Sequence, residues 1–189
     1  MLKIDGLRVP SHTRIIFGED ILLNIEFGDI EYDDRIVWLT EDTKKLYADG
    51  MLMYSLGSSS NECFYIGFGQ NTKAIQSIEL LQTGSYRETD IENLLNSTPK
   101  SQGVPKVDLT NWPTRREWTI DPIRINESKM HYSVLFSTNS IVIAWGGVEN
   151  AIHRYYSENI FFGVNKEDQI VYVQISDINI QDVKSLWNI

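Results

Sequence analysis

The residues of this sequence that could carry chemistry are three histidines, a single cysteine and two pairs of neighbouring acids. His12, His131 and His153 are too far apart to form a local metal-binding pair on one helix turn or one strand. Cys63 lies in an apolar, strand-like run, which predicts a packed thiol and not a nucleophile. A lone cysteine also forms no intrachain disulfide and no cysteine metal cluster.

The paired acids, Asp33-Asp34 and Glu41-Asp42, are the groups that could cleave a glycosidic bond or hold a divalent cation. Adjacent side chains on an extended chain point to opposite sides, so one acid of each pair is expected to face solvent. The sequence also lacks a glycine-rich phosphate loop and the Gly-x-Ser-x-Gly elbow of serine hydrolases. We therefore predict no catalytic residue, no metal and no cofactor.

The chain is acidic, with 26 Asp and Glu against 17 Lys and Arg and a formal charge of −9. This charge disfavours nucleic acid as a partner. The acids are concentrated in residues 26–49, which hold eight acids and three basic residues, so a basic protein partner is expected there. Exposed aromatic residues would anchor such an interface. The predicted partner-binding residues are Glu31, Tyr32, Asp33, Asp34, Glu41, Asp42 and Trp112.

Length and composition predict a folded protein with a real core. The 189 residues are 42% hydrophobic and 23% charged, as in an average globular protein. No apolar run approaches the roughly 20 residues that cross a bilayer, and the first residues lack the apolar core of a secretory signal. The sequence thus predicts no membrane contact and a cytoplasmic location.

The two halves of the chain are similar to each other in three places, and the matches occur in the same order. They pair residues 3–9 with 119–125, 23–31 with 141–149, and 66–71 with 160–165. The last match leads in both halves into a second alternating strand, which predicts a β-hairpin in each half.

A helix signal follows each hairpin. Residues 89–92 have capping-box spacing, and Asn179 is placed to cap a segment with an apolar face. We therefore predict an α+β fold of duplicated antiparallel units, each closed by a short helix. The first unit is residues 1–96, with a helical insertion near 40–50, and the second is 118–189. Whether the units share one sheet is left open.

Residues 97–117 are predicted to connect the two units, because three of the five prolines fall there. Trp112 is expected to anchor this connector against a domain. The later hairpin, Asn159 to Val173, resembles those of small bacterial proteins of unknown function, including immunity proteins of polymorphic toxin systems. This resemblance implies a cytoplasmic protein that binds and blocks a cognate toxin, and it assigns no functional residue.

These observations favour a noncatalytic protein-binding module, with an immunity-type inhibitor as its concrete form. Two alternatives stay open. One is a small-molecule hydrolase that brings His131, His153 or separated acids together between the two units. The other is a structural module that self-associates through exposed strand edges or the Trp112 loop.

Overall fold

The computed structural model describes residues 1–19, 21–28, 52–57, 63–69, 72–82, 86–90, 92–112, 123–127 and 130–188. Within these residues there are fifteen strands, two short α-helices and one 3-10 helix. The strands are β1 (Ile4–Arg8), β2 (Thr13–Phe17), β3 (Leu23–Phe27), β4 (Leu52–Leu56), β5 (Cys63–Phe68), β6 (Ile75–Gln82), β7 (Tyr86–Glu88), β8 (Lys100–Gln102), β9 (Val104–Val107), β10 (Ile123–Glu127), β11 (Ser133–Phe136), β12 (Ile141–Ala144), β13 (His153–Ser157), β14 (Ile160–Val164) and β15 (Ile170–Ile175). The helices are α1 (Glu92–Ser97), α2 (Ile180–Leu186) and the 3-10 helix (Val148–Asn150).

The described strands form three sheets. β1 and β9 make a two-stranded sheet, and the two larger sheets have the orders β10-β4-β5-β6-β3-β2 and β7-β11-β12-β15-β14-β13-β8. Neighbouring strands are antiparallel except for three pairs at sheet edges. These parallel pairs are β10 with β4, β7 with β11, and β8 with β13.

Alternating side chains explain why these segments form strands with one buried face. In β3, Leu23, Ile25 and Phe27 are fully buried, whereas Asn24 and Glu26 between them are half-buried. This period of two places one set of residues in a core and the other on the outer face of the sheet.

The two larger sheets pack against each other and share one hydrophobic core. Phe27 of the six-stranded sheet contacts Phe162 of the seven-stranded sheet, with ring centroids 5.8 Å apart. Phe64 of β5 likewise contacts Tyr132 and Trp145, which flank β11 and β12, at 5.6 and 5.5 Å. The two large sheets are therefore held together by aromatic side-chain contacts as well as by their covalent connections.

A smaller hydrophobic cluster lies on the outer face of the seven-stranded sheet. The chain passes from β7 at one edge of this sheet, through α1, to β8 at the opposite edge. Leu95 of α1 is 1% exposed and packs with Leu135, Val142 and Tyr172 of the sheet and Val148 of the 3-10 helix. The middle of the outer face is thus covered by α1 and the 3-10 helix, whereas no described helix covers the two ends beside β7 and β8.

The predicted α+β fold of duplicated, helix-closed units is wrong, because the protein is β-rich. Its two described α-helices have only six and seven residues and form no layer. The halves also exchange strands. β10, from the second unit, extends the six-stranded sheet, while β7 of the first unit and β8 of the predicted connector form the two edges of the seven-stranded sheet.

Several local features of that prediction are nevertheless present. The β5–β6 and β14–β15 hairpins form, and the Asn179 side chain caps α2 by accepting a hydrogen bond from the Gln181 amide at 3.1 Å. Five neighbouring strands in each large sheet also have the same connectivity. The order β4-β5-β6-β3-β2 of the six-stranded sheet corresponds, strand by strand along the chain, to β13-β14-β15-β12-β11 of the seven-stranded sheet. Residues 97–117, predicted as a connector, include β8 and β9, and the helix predicted near 40–50 lies outside the described residues.

Among the described residues, neither α-helix has the length or apolar content that crossing a membrane requires.

Candidate functional site

A groove lies on the outer face of the seven-stranded sheet beside its edge strand β7, and we call it the β7 groove. Its volume is about 530 Å³, within the range of pockets that take a small ligand or a side chain. Apolar side chains of the sheet and its neighbouring turns form much of the lining. The apolar lining residues are Leu94, Leu135, Ala144, Trp145 and Val148. The polar and charged ones are Arg87, Glu88, Thr89, His131, Ser133 and Glu149.

Among the described strands, β7 pairs only with β11 and ends the sheet, so none of them covers its other side. All three of its residues are exposed. Tyr86 is 45% exposed although its ring meets Phe136 edge-on at 5.8 Å, and Leu94 of α1 is 39% exposed. Two large apolar side chains next to an open strand edge are typical of a binding surface.

A second groove, of about 700 Å³, also borders β7 and is lined mainly by polar residues. Glu88 of β7 forms an ion pair with Lys184 of α2 there. The Lys184 ammonium also lies 5.3 Å from the Phe136 ring centroid. β7 therefore contributes residues to two grooves of different character, one with many apolar lining residues and one mainly polar.

A second group of residues lies at the opposite end of the same outer face, and we call it the Arg154 cluster. It consists of Lys100, Arg154, Tyr156, Phe161 and Gln174. Arg154 of β13 pairs in register with Lys100 of β8. Its side chain is 3% exposed, and its Nη1 donates a hydrogen bond to Gln174 Oε1 at 3.2 Å. The guanidinium carbon lies 4.8 Å from the Phe161 ring centroid.

Gly163 explains how Tyr172 fits beside this cluster. Arg154, Gly163 and Tyr172 are successive register partners across β13, β14 and β15. The Tyr172 ring lies over Gly163, at the place where a Cβ atom would be. Burial raises the pKa of Tyr172 to about 12, and the positive charge of Arg154 limits that rise.

Six of the seven predicted partner-binding residues lie outside the described residues, so their role stays a prediction. They are Glu31, Tyr32, Asp33, Asp34, Glu41 and Asp42. The seventh, Trp112, is half-buried and packs against Tyr54 and Phe68 of the six-stranded sheet, with ring centroids 6.0 and 4.9 Å apart. This packing holds the chain after β9 against the six-stranded sheet.

Glu26 is the one described acid of the acidic stretch 26–49. It lies 4.0 Å from the Arg14 guanidinium and accepts a hydrogen bond from the Asn24 side chain at 3.4 Å. Glu79, on the neighbouring strand β6, is half-buried. Burial raises the pKa of the Glu79 carboxyl, and the negative charge of Glu26 raises it further.

We expect the Glu79→Gln variant to be more stable than the natural protein at pH 7. Because the pKa of Glu79 is higher in the folded state, its contribution to stability is fully present at low pH and is lost as the pH rises through the folded value. Glutamine stays neutral at every pH and so avoids that loss of stability. The difference in stability between the variant and the natural protein should therefore disappear near pH 3. Urea unfolding at both pH values measures it. Glu19→Gln, a charge change at an exposed residue, is the control, and an equal gain in both variants would contradict the prediction.

The structure does not bring His131 and His153 together. His131 precedes β11 and His153 begins β13, which are four strand positions apart in the sheet, or about 19 Å at the usual spacing. His153 Nε2 lies 3.1 Å from the Ser101 hydroxyl and its ring stacks near Tyr155, whereas His131 lines the β7 groove. Within the described ranges, no three His, Cys, Asp or Glu side chains are close enough to hold a metal ion.

Neither the β7 groove nor the Arg154 cluster was predicted from the sequence. β7 and β8 have three residues each, all exposed, so they carry no apolar alternation. The available signal was Arg154 within an alternating, aromatic-rich strand, since a charged residue at a core-like position invites a functional explanation.

The chain matches no family model, and no curated protein resembles it in sequence.

Proposed function

We propose that this protein is a noncatalytic protein-binding module that holds an extended segment of a partner along β7. The observation that supports this most is the edge of β7, which no other described strand covers, next to the β7 groove with Leu94 partly in solvent. An added strand would gain main-chain hydrogen bonds from β7, and its alternate side chains would enter the groove.

The acidic charge of the protein favours a basic partner segment. A formal charge of −9 attracts basic segments, and Glu149 places a carboxylate at the β7 groove, where Glu88 is already paired with Lys184. The apolar lining adds a preference for a large apolar side chain. The expected ligand is thus an extended segment with one apolar residue flanked by Lys or Arg.

An immunity-type inhibitor is the concrete form of this proposal. Such a protein captures a basic toxin and covers its active surface without doing chemistry. The acidic stretch 26–49 and the resemblance of the hairpin at residues 159–173 both support this form. Electrostatic capture of this kind is fast and weakens with salt.

We expect Leu94→Lys to weaken binding of a groove-directed peptide by about tenfold or more, because it places a charged chain where an apolar contact is needed. The ligand is selected from a displayed library of extended nine-residue peptides, and its affinity is measured by fluorescence anisotropy. Peptides with an apolar residue between basic residues should be enriched, and their binding should weaken with salt.

Ile152→Lys is the matched control, since Ile152 is 60% exposed and precedes β13, away from β7. It adds the same charge and should leave the affinity unchanged. Equal loss in both variants, or a library that yields no such peptide, would refute groove-directed binding.

A further inference from the structure

Arg154 is a buried cation with no acidic partner among the described residues. Its side chain is 3% exposed, its Nε has no hydrogen-bond partner, and it forms no ion pair with any described residue. The neutral Gln174 amide accepts one hydrogen bond from Nη1. Burial of an unpaired charge is costly, and proteins ordinarily pair such groups with an anion.

A second cation faces the same ring. The Lys100 ammonium lies 5.7 Å from the Phe161 ring centroid and 5.6 Å from that of Tyr156, while the Arg154 guanidinium lies 4.8 Å from Phe161. The ring faces attract both cations. The cations repel each other, however, so an anion placed between them would be stabilised by both.

The register partners around this pair contain no acid. On the outer face, two neighbouring rows of register partners run across β8, β13, β14 and β15. The first row consists of Lys100, Arg154, Gly163 and Tyr172, and the second consists of Gln102, Tyr156, Phe161 and Gln174. In a protein with a net charge of −9, two cations here without an acid among these partners form a local positive site.

We infer that the Arg154 cluster binds the phosphate group of a small phosphorylated ligand. A phosphate monoester carries nearly two negative charges near neutral pH, which matches one lysine and one arginine better than a carboxylate does. The arginine provides directed N–H donors, including the unpaired Nε–H, and the lysine provides a mobile point charge. Lys100 belongs to an exposed edge strand, so the ligand would approach Arg154 from the side of Lys100.

The probe is inorganic phosphate, titrated at constant ionic strength, with chloride and acetate as comparison anions. The Nε–H resonance of Arg154, assigned by its loss in Arg154→Met, should move and saturate with phosphate but not with the other anions. Lys100→Met should weaken phosphate binding by about tenfold, the effect of losing one hydrogen bond to a charged group. Calorimetry of the same titrations gives the stoichiometry, which is expected to be one phosphate per chain.

Lys166→Met is the matched control, because Lys166 lies in the β14–β15 turn and its side chain is 80% exposed. It removes the same charge and should leave phosphate binding unchanged. The inference is overturned if the Arg154 resonance does not respond to phosphate, responds equally to chloride, or loses its response equally in Lys100→Met and Lys166→Met. Lys100 is exposed, so its variant decides the question even if Arg154→Met does not fold. Peptide binding at β7 is measured separately and its result does not depend on this site.

Discussion

Replacing Phe64 with alanine is expected to lower the free energy of unfolding by about 3–5 kcal/mol, the usual cost of truncating a buried aromatic residue. Phe64 is fully buried, and its ring contacts Tyr132 and Trp145 of the opposite sheet. The substitution would leave a cavity between the two large sheets, and the rigid strands around it could close that space only in part. Urea denaturation followed by tryptophan fluorescence and by circular dichroism measures the loss.

Tyr86→Ala is the control for Phe64→Ala. Tyr86 is 45% exposed, so its removal should cost about 1 kcal/mol, mostly from its edge contact with Phe136. Because the two sheets share one core, both variants should unfold in a single transition with coincident probes. Two separate transitions, or an equal cost for both variants, would show that Phe64 does not join the sheets.

The strands with an apolar period of two could be predicted from the sequence. Leu23, Ile25 and Phe27 alternate with polar residues, and this pattern depends only on local geometry. The hairpin at β14–β15 is also local. Its turn is closed by the Asn165 side chain, which accepts hydrogen bonds from the amides of Glu167 and Gln169 at 3.0 and 2.9 Å. Asparagine is favoured in turns for this reason.

The arrangement of the strands could not be predicted in this way. β8 has no apolar residue, and it becomes a strand because Arg154 and its neighbours, 54 residues later in the chain than Lys100 and its neighbours, offer an edge. Asn179 caps α2 as predicted, whereas α1 begins at Glu92 and the Thr89 amide donates to the Phe136 carbonyl, so the predicted capping box does not form. Caps also carry no information about helix length or about a helical layer. The fold class predicted from these local signals therefore implied more helix than the protein has.

The candidate sites depend even more on long-range pairing. Trp112 could be identified because a large aromatic residue in a proline-rich segment needs an apolar contact, which Tyr54 and Phe68 provide. The proximity of Lys100 to Arg154 could not be predicted, since it arises only when β8 pairs with β13. Nor does any sequence pattern show that an arginine in an alternating strand is 3% exposed.

Replacing Gly163 with alanine is expected to lower the free energy of unfolding by about 2–3 kcal/mol, the cost of adding an atom to a well-packed site. A Cβ atom at this position would overlap the ring carbons Cε1 and Cζ of Tyr172. The ring is fully buried and packs in the outer-face cluster, so moving it would disturb its neighbours. Chemical denaturation of the single variant measures the loss.

A double-mutant cycle separates this overlap from the general effect of alanine in a strand. In a Tyr172→Ala background the ring is absent, and alanine at position 163 should then cost close to nothing, since glycine is itself unfavourable within a strand. The coupling between the two sites should thus equal nearly the whole cost of the single substitution. If Gly163→Ala were as costly without the tyrosine ring, the glycine would be required by the backbone of β14, and the fit of Tyr172 over it would not be the cause.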